Sequence, residues 1–186
     1  MAQVKGLVLL SRFEYLENKA GFSVYREFLK KISSPEANFV RQPVDGANYY
    51  PENTLVTVDE VLLKDHFNNN VDEFRQLGEW NAGNLIAKYF NLYVDEQLPR
   101  EFLEQFARLR DLLIGSGKMQ VMAENDQTIM VIIDYGQSVP RSICLSEQGF
   151  ITAGLKLCGA KKIELEEIAC ASEEGSLECK FKIKID

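Results

Sequence analysis

The hydrophobic pattern of this chain changes period once, near residue 117, and that switch limits the folds open to it more than any other feature. Before the switch, apolar residues recur at steps of three and four, the signature of helices with one buried face. Phe22, Tyr25, Phe28, Leu29 and Ile32 mark a helix from Gly21 to Ile32, ended by Ser33-Ser34-Pro35 because proline drives its predecessor out of helical angles. The opening VKGLVLL is short and β-rich, and the polar stretch 36–51 reads as loop. A short helix is expected from Thr57 to about Phe67, and a longer one from Asn70, a natural cap, to Phe90. Gly78 and Gly83 lie inside that helix. Each costs about 1 kcal/mol against alanine, which points to a close approach by another element or a break near Trp80. Pro99 opens a further helix carrying Phe102, Leu103, Phe106, Leu109, Leu112 and Leu113, stopped by Gly115 and Gly117.

After the switch the period is two. Met119 to Ala123 and Thr128 to Tyr135 read as strands joined by a polar turn, and Cys144 to Cys158 as a helix ended by Gly159. Ile163 to Ala171 and Leu177 to Ile185 form a last hairpin about Glu173-Glu174-Gly175. In its final strand Leu177, Cys179, Phe181, Ile183 and Ile185 share one face and Glu178, Lys180, Lys182 and Lys184 the other, so one side of the sheet meets water. The expected class is α+β: a single domain over 1–186, with a mainly helical part (1–117) packed against an antiparallel sheet carrying one inserted helix (118–186).

Charge and composition narrow the function. Twenty-eight acidic residues against 21 basic give a net charge of -7, which argues against a nucleic-acid surface, since phosphate binding relies on clustered Lys and Arg. No run approaches a membrane span, and the apolar start Leu7 to Leu10 is too short for a secretory leader. A soluble cytoplasmic protein is the expectation. The chain has one histidine, His66, and none of the nucleophile-elbow, zinc-protease, P-loop or dinucleotide motifs. Glu166-Glu167 and Glu173-Glu174 read as solvated pairs rather than a catalytic dyad. The rings of Trp80, Tyr89, Phe90, Phe102 and Phe106 are too many for solvent. Core is the default for each, although ligand pockets are lined by the same residue types.

All four cysteines, Cys144, Cys158, Cys170 and Cys179, fall in the last 43 residues. Cys144, Cys170 and Cys179 with Glu167 would make a chemically sensible tetrahedral zinc set, although no C-x-x-C knuckle supports it. Two other readings stand beside it: buried free thiols, and a Cys170–Cys179 disulfide, which a reducing compartment disfavours. Glu167 and Cys170 are three apart, on opposite faces of a regular strand, so a site using both needs a bulge or turn between them.

The run from Cys144 through Gly149, Glu167, Cys170, Cys179 and Phe181 resembles the V4R (4-vinyl reductase) domain: a Cys-x4-Gly helix, then E-x-x-C, then Cys-x-Phe in the last strand. The resemblance covers about a quarter of the chain. It implies the superfamily of heme–nitric-oxide-binding (H-NOX) domains and Bet3-like transport subunits, in which helices and an antiparallel sheet enclose a hydrophobic cavity. The helix-rich upstream layout is similar to uncharacterised bacterial members. The V4R likeness implies a structural zinc held by Cys144, Glu167, Cys170 and Cys179, with Cys158 an ordinary buried thiol. The H-NOX likeness is weaker. Tyr135, Ser138 and Arg141 form Y-x-x-S-x-x-R where H-NOX domains carry Y-x-S-x-R, and the helix Arg100 to Ile114 holds no histidine, so heme is not expected.

The function implied is a non-catalytic regulatory or signalling module that binds a small hydrophobic ligand, with Trp80, Tyr89, Phe102, Phe106 and Tyr135 as candidate pocket residues. Its output would pass through a protein partner or a homo-oligomer. The alternatives are an assembly protein whose cavity is filled by side chains, a heme gas sensor, and, last, a reductase-like enzyme of tetrapyrrole chemistry.

Overall fold

A computed structural model describes residues 2–33, 39, 41–89, 98–125 and 127–186, the side chains of 85–89 excepted. Phe90 lies outside the described residues, as does the side chain of Tyr89. The fold is α+β, helical in its N-terminal half and with an antiparallel sheet in its C-terminal half. The chain divides into two compact units, Met1–Glu73 with Leu113–Gly115, and Phe74–Leu112 with Ser116–Asp186. That division differs from the switch in hydrophobic period, because most of the two helices before residue 115 belongs with the sheet.

In the first unit β1 (Gln3–Lys5) is followed directly by α1 (Gly6–Ala20) and α2 (Phe22–Ile32), and β2 (Tyr49–Pro51) by α3 (Glu52–Asp65). β1 pairs antiparallel with β2, Val4 opposite Tyr50. The β-rich opening therefore yields only three residues of strand and then a helix. Tertiary context overrides the β propensity of Val8 and its neighbours, because a helix here buries Val8, Leu9, Arg12, Phe13 and Leu16 on one side. Gly6 permits the entry, since a Cβ there would overlap the Asp45 carbonyl oxygen. Gly21, at φ +89°, bends the chain between α1 and α2. Of the apolar stripe on α2, Phe28 and Ile32 are buried, whereas Phe22 is 59% exposed. α3 starts five residues earlier than Thr57, straight after Pro51, and buries Leu55, Val58, Asp59 and Leu62 at helical spacing. Phe13 sits at the centre of a ring cluster, 5.7 Å from Phe28 and 6.2 Å from Phe39.

The second unit is built on a four-stranded antiparallel sheet of order β3-β4-β6-β5, from β3 (Lys118–Asn125), β4 (Thr128–Asp134), β5 (Ile163–Ala169) and β6 (Glu178–Ile185). α4 (Glu73–Tyr89) and α5 (Pro99–Leu113) precede the sheet, and α6 (Arg141–Leu157) joins β4 to β5. The centre of the core is the buried face of β4 and β6: Ile129, Val131 and Ile133 beside Cys179, Phe181 and Ile183. α4 runs unbroken past Trp80. Its Gly78 marks a close approach, since a Cβ there would overlap the Ser146 carbonyl oxygen of α6, whereas Gly83 faces open space. α5 buries Phe102, Leu103, Phe106 and also Arg110, while Leu112, expected on that face, is 64% exposed. Among the described residues no helix is long and apolar enough to cross a membrane.

Candidate functional site: a buried three-thiol cluster

α6 begins after Pro140 and is buried on nearly every side from Ser142 to Ile151. Two glycines allow this depth. A Cβ at Gly149 would strike the Arg75 carbonyl oxygen of α4, as one at Gly78 would strike that of Ser146, so the helices cross backbone against backbone. This gives the Cys-x4-Gly spacing a physical meaning: Gly149 seats the helix against α4, and Cys144, on a different face, reaches Cys179 of β6. The Cys144 and Cys179 sulfurs share a hydrogen bond at 2.9 Å. Cys179 is placed by the alternation of β6, where Cys179, Phe181 and Ile183 are all fully buried.

Cys170 arrives by a break in strand regularity. β5 and β6 pair Glu167 with Phe181 and then Ala169 with Lys180, so Ile168 is an extra residue without an opposite number, and it is half exposed. This is the bulge that a site using both Glu167 and Cys170 requires. Beyond it Cys170 is fully buried, and the three sulfurs of Cys144, Cys170 and Cys179 lie within 4.8 Å of one another. All four cysteines are free, so the Cys170–Cys179 disulfide is not formed. Cys158 caps the end of α6, buried and outside the cluster, where burial raises its pKa.

Hydrogen bonds tune the thiols differently. The bond to Cys179, with burial, pushes Cys144 far above the usual thiol range. The Cys179 pKa is lowered by its hydrogen bond with Cys144, against burial and helped by the Ala171 N–H, which points at its sulfur at 3.4 Å. Cys170 meets the Ser172 hydroxyl at 3.0 Å and the Arg141 guanidinium at 2.8 Å. Arg141 also forks onto Glu167 through two bonds of 2.7 Å. Its pKa is raised first by that carboxylate and then by Cys170, with burial opposing.

Three soft donors this close suit a thiophilic ion. Sulfurs bound at about 2.3 Å in a tetrahedron stand about 3.8 Å apart, within the spread seen here. By the chemistry of its donors the cluster fits zinc. Glu167 is drawn to the same corner of the molecule, but its carboxylate is occupied by Arg141.

Beside the thiols lies a second polar group. Tyr135 donates to Glu147 Oε2, Arg110 Nε donates to Glu147 Oε1 at 2.6 Å, and Arg110 Nη1 donates to the Ser116 carbonyl at 3.1 Å. The guanidinium also lies 5.1 Å from the Tyr135 ring centre. All three side chains are buried. Burial and the neighbouring Glu147 hold the Tyr135 hydroxyl well above its ordinary pKa. Arg110 and Glu147 were missed from sequence, yet signals existed. Arg110 falls four residues after Phe106 on the apolar stripe, and Glu147 three after Cys144 on the same helix face.

The candidate pocket residues separate. Phe102 and Phe106 are buried and stacked at 6.2 Å, Phe106 lies 4.4 Å from Phe150, and Gly154 leaves room for the Phe102 ring. Tyr135 is committed to Glu147, Trp80 is partly buried, and the side chain of Tyr89 is outside the described residues. Ser138 donates to the Ala171 carbonyl at 3.0 Å, so Tyr135, Ser138 and Arg141 each serve the loop and thiol region. His66 ends α3, packed edge-on against Phe28 at 5.6 Å, and burial lowers its pKa. With no histidine on α5 and the one histidine so placed, the residues do not fit a heme that takes an axial imidazole from α5.

No protein-family model and no curated protein matches the chain. Solved structures do. An H-NOX protein from S. oneidensis, in the Fe(II)NO ligation state, matches with a TM-score of 0.75 at 16% identity, covering 98% of this chain and 99% of that one. A single-substitution mutant of T. tengcongensis H-NOX gives 0.74 at 16%, over 98% and 97% of the two chains. An unliganded Fe(II) H-NOX mutant from K. algicida gives 0.68 at 18%, over 98% and 96%. The fold of this chain is that of the H-NOX structures.

Proposed function

We propose that this protein is a non-catalytic regulatory or sensory domain that binds a small hydrophobic ligand and carries a structural zinc in place of heme. The observation that carries the reading is the buried cluster of Cys144, Cys170 and Cys179, set in a fold whose solved examples include a nitric-oxide-ligated iron(II) protein. The chain keeps that fold, lacks the α5 imidazole, and has soft metal donors elsewhere. A bound zinc supplies a cross-link and, with four protein ligands, no open coordination position. Cys144 brings α6 to it, Cys179 brings β6, Cys170 brings the loop after the β5 bulge, and Glu167 is the fourth donor, as in the V4R-like pattern. Phe102 and Phe106, with Trp80, Tyr89 and Tyr135, are the pocket residues of this reading. The signal passes to a protein partner or a second copy of the chain, in the cytoplasm.

The test is metal analysis of protein purified without a histidine tag, with native mass spectrometry and titration by an apolar fluorescent probe. The reading expects near-stoichiometric zinc, lost in Cys170→Ser, and either a co-purified apolar molecule or probe binding. Protein that carries no zinc and takes up no probe sinks it. A Soret band on addition of heme would favour the gas-sensor alternative.

A further inference from the structure

The Arg141–Glu167 fork lies on the same two residues that the proposed metal needs. Arg141 Nη1 is 2.7 Å from Glu167 Oε1 and 2.8 Å from Cys170 Sγ, while Nη2 holds Glu167 Oε2 at 2.7 Å. One guanidinium thus donates to both a carboxylate and a sulfur at the edge of the thiol cluster. It does so from the first residue of α6, one turn before Cys144. Its side chain is 33% accessible and that of Glu167 21%, whereas Cys144, Cys170 and Cys179 are fully enclosed. Arg141 therefore stands on the solvent side of the cluster.

From this we infer that Arg141 is a built-in competitor of the metal: its fork onto Glu167 and Cys170 and the coordination of an ion by those residues are alternative states of one site. The inference rests on the zinc reading above. The physical reason is charge and lone pairs. A carboxylate that accepts two parallel N–H bonds is held in the plane of the guanidinium. An ion taking that carboxylate and the Cys170 thiolate would sit against a fixed positive charge that water screens only in part, since both side chains are two thirds or more covered. Loading releases Glu167 from Arg141 and leaves the guanidinium turned to solvent, free for another anion. Emptying the site closes the fork again and keeps the buried thiols covered. Arg141 is then a positioning residue that sets how tightly the metal is held and which state the first turn of α6 adopts.

The experiment is competition for zinc(II) between the protein and a chromogenic chelator, on the full chain, in wild type, Arg141→Met and Arg141→Lys. A parallel thermal melt compares each protein stripped of metal and zinc-loaded. The competitor role expects Arg141→Met to bind zinc about tenfold tighter and to melt lower than wild type only when stripped, since charge-assisted bonds lost from the empty state are its main loss. Arg141→Lys, a cation without the fork, binds more tightly than wild type by a smaller factor. Should Arg141→Met fail to fold, Arg141→Lys decides alone. Unchanged or weaker zinc affinity in the folded variants overturns the inference and leaves the zinc reading standing. Absence of zinc binding in wild type overturns both.

Discussion

Among the described residues, each of the two compact units buries an arginine–carboxylate pair, and the two pairs are built differently. In the first, Arg12 Nε meets Asp59 Oδ1 at 3.2 Å, bridging α1 and α3 in a unit that also buries Ser11 and Glu52. In the second, Arg110 and Glu147 close to 2.6 Å and the carboxylate is shared with Tyr135, next to three thiols. A buried ion pair is weak evidence for stability, because desolvation offsets most of its attraction. The polar network of the second core lies against the thiol cluster, whose spacing suits a metal. The first unit therefore reads as scaffold, and the second as scaffold with chemistry set into it.

The largest expected effect separates the units most sharply. On the proposed zinc reading, stripping the metal, or making Cys170→Ser, should destabilise the second unit by about 4 kcal/mol where free zinc stands about a thousandfold above its dissociation constant. Hydrogen exchange should show faster amides in α6 and β6 and little change in α1 and α3. Equal loosening of both units would erase the contrast.

Glu147→Ala leaves the Arg110 charge buried and uncompensated, and should cost about 3–5 kcal/mol in a denaturant melt. Asp59→Ala in the first unit breaks a longer pair and should cost less. A larger loss at Asp59 would reverse the ranking of the pairs.

Within the second unit, Gly78→Ala should cost about 1–3 kcal/mol, because its methyl group has a carbonyl oxygen in its way. Gly83→Ala, on the same helix but facing open space, should stabilise by about 0.4–1 kcal/mol. Similar signs at both sites would mean that α4 and α6 are not in backbone contact.

The smallest effect belongs to the first unit. Burial, followed by Lys31 and opposed by Asp65, lowers the pKa of His66. A base with a depressed folded pKa supplies stability that is present above its unfolded value, about 6.5, and is lost as pH falls through the folded value. The melting temperature should therefore drop between about pH 7 and pH 5 in wild type, and drop less in His66→Gln. Identical profiles would remove His66 from the account.

The sequence by itself determined the period switch, the α+β class, most helices and strands, and the alternation that buries Cys179, Phe181 and Ile183. Those are local properties, written in spacing. It also showed that Glu167 and Cys170 need a bulge to serve one site, though not that Ile168 would be the extra residue. Tertiary structure alone decided three things. The β-rich start became α1, because a helix there buries Val8, Leu9, Arg12, Phe13 and Leu16 along one side. Arg110 took the inward position in place of Leu112, because Glu147 and Tyr135 offer a buried site for a cation. Arg141 went to Glu167 and Cys170, forming a clamp that no spacing rule announces. Each depends on which distant group lies opposite, and a chain read along its length states periodicity but not partners.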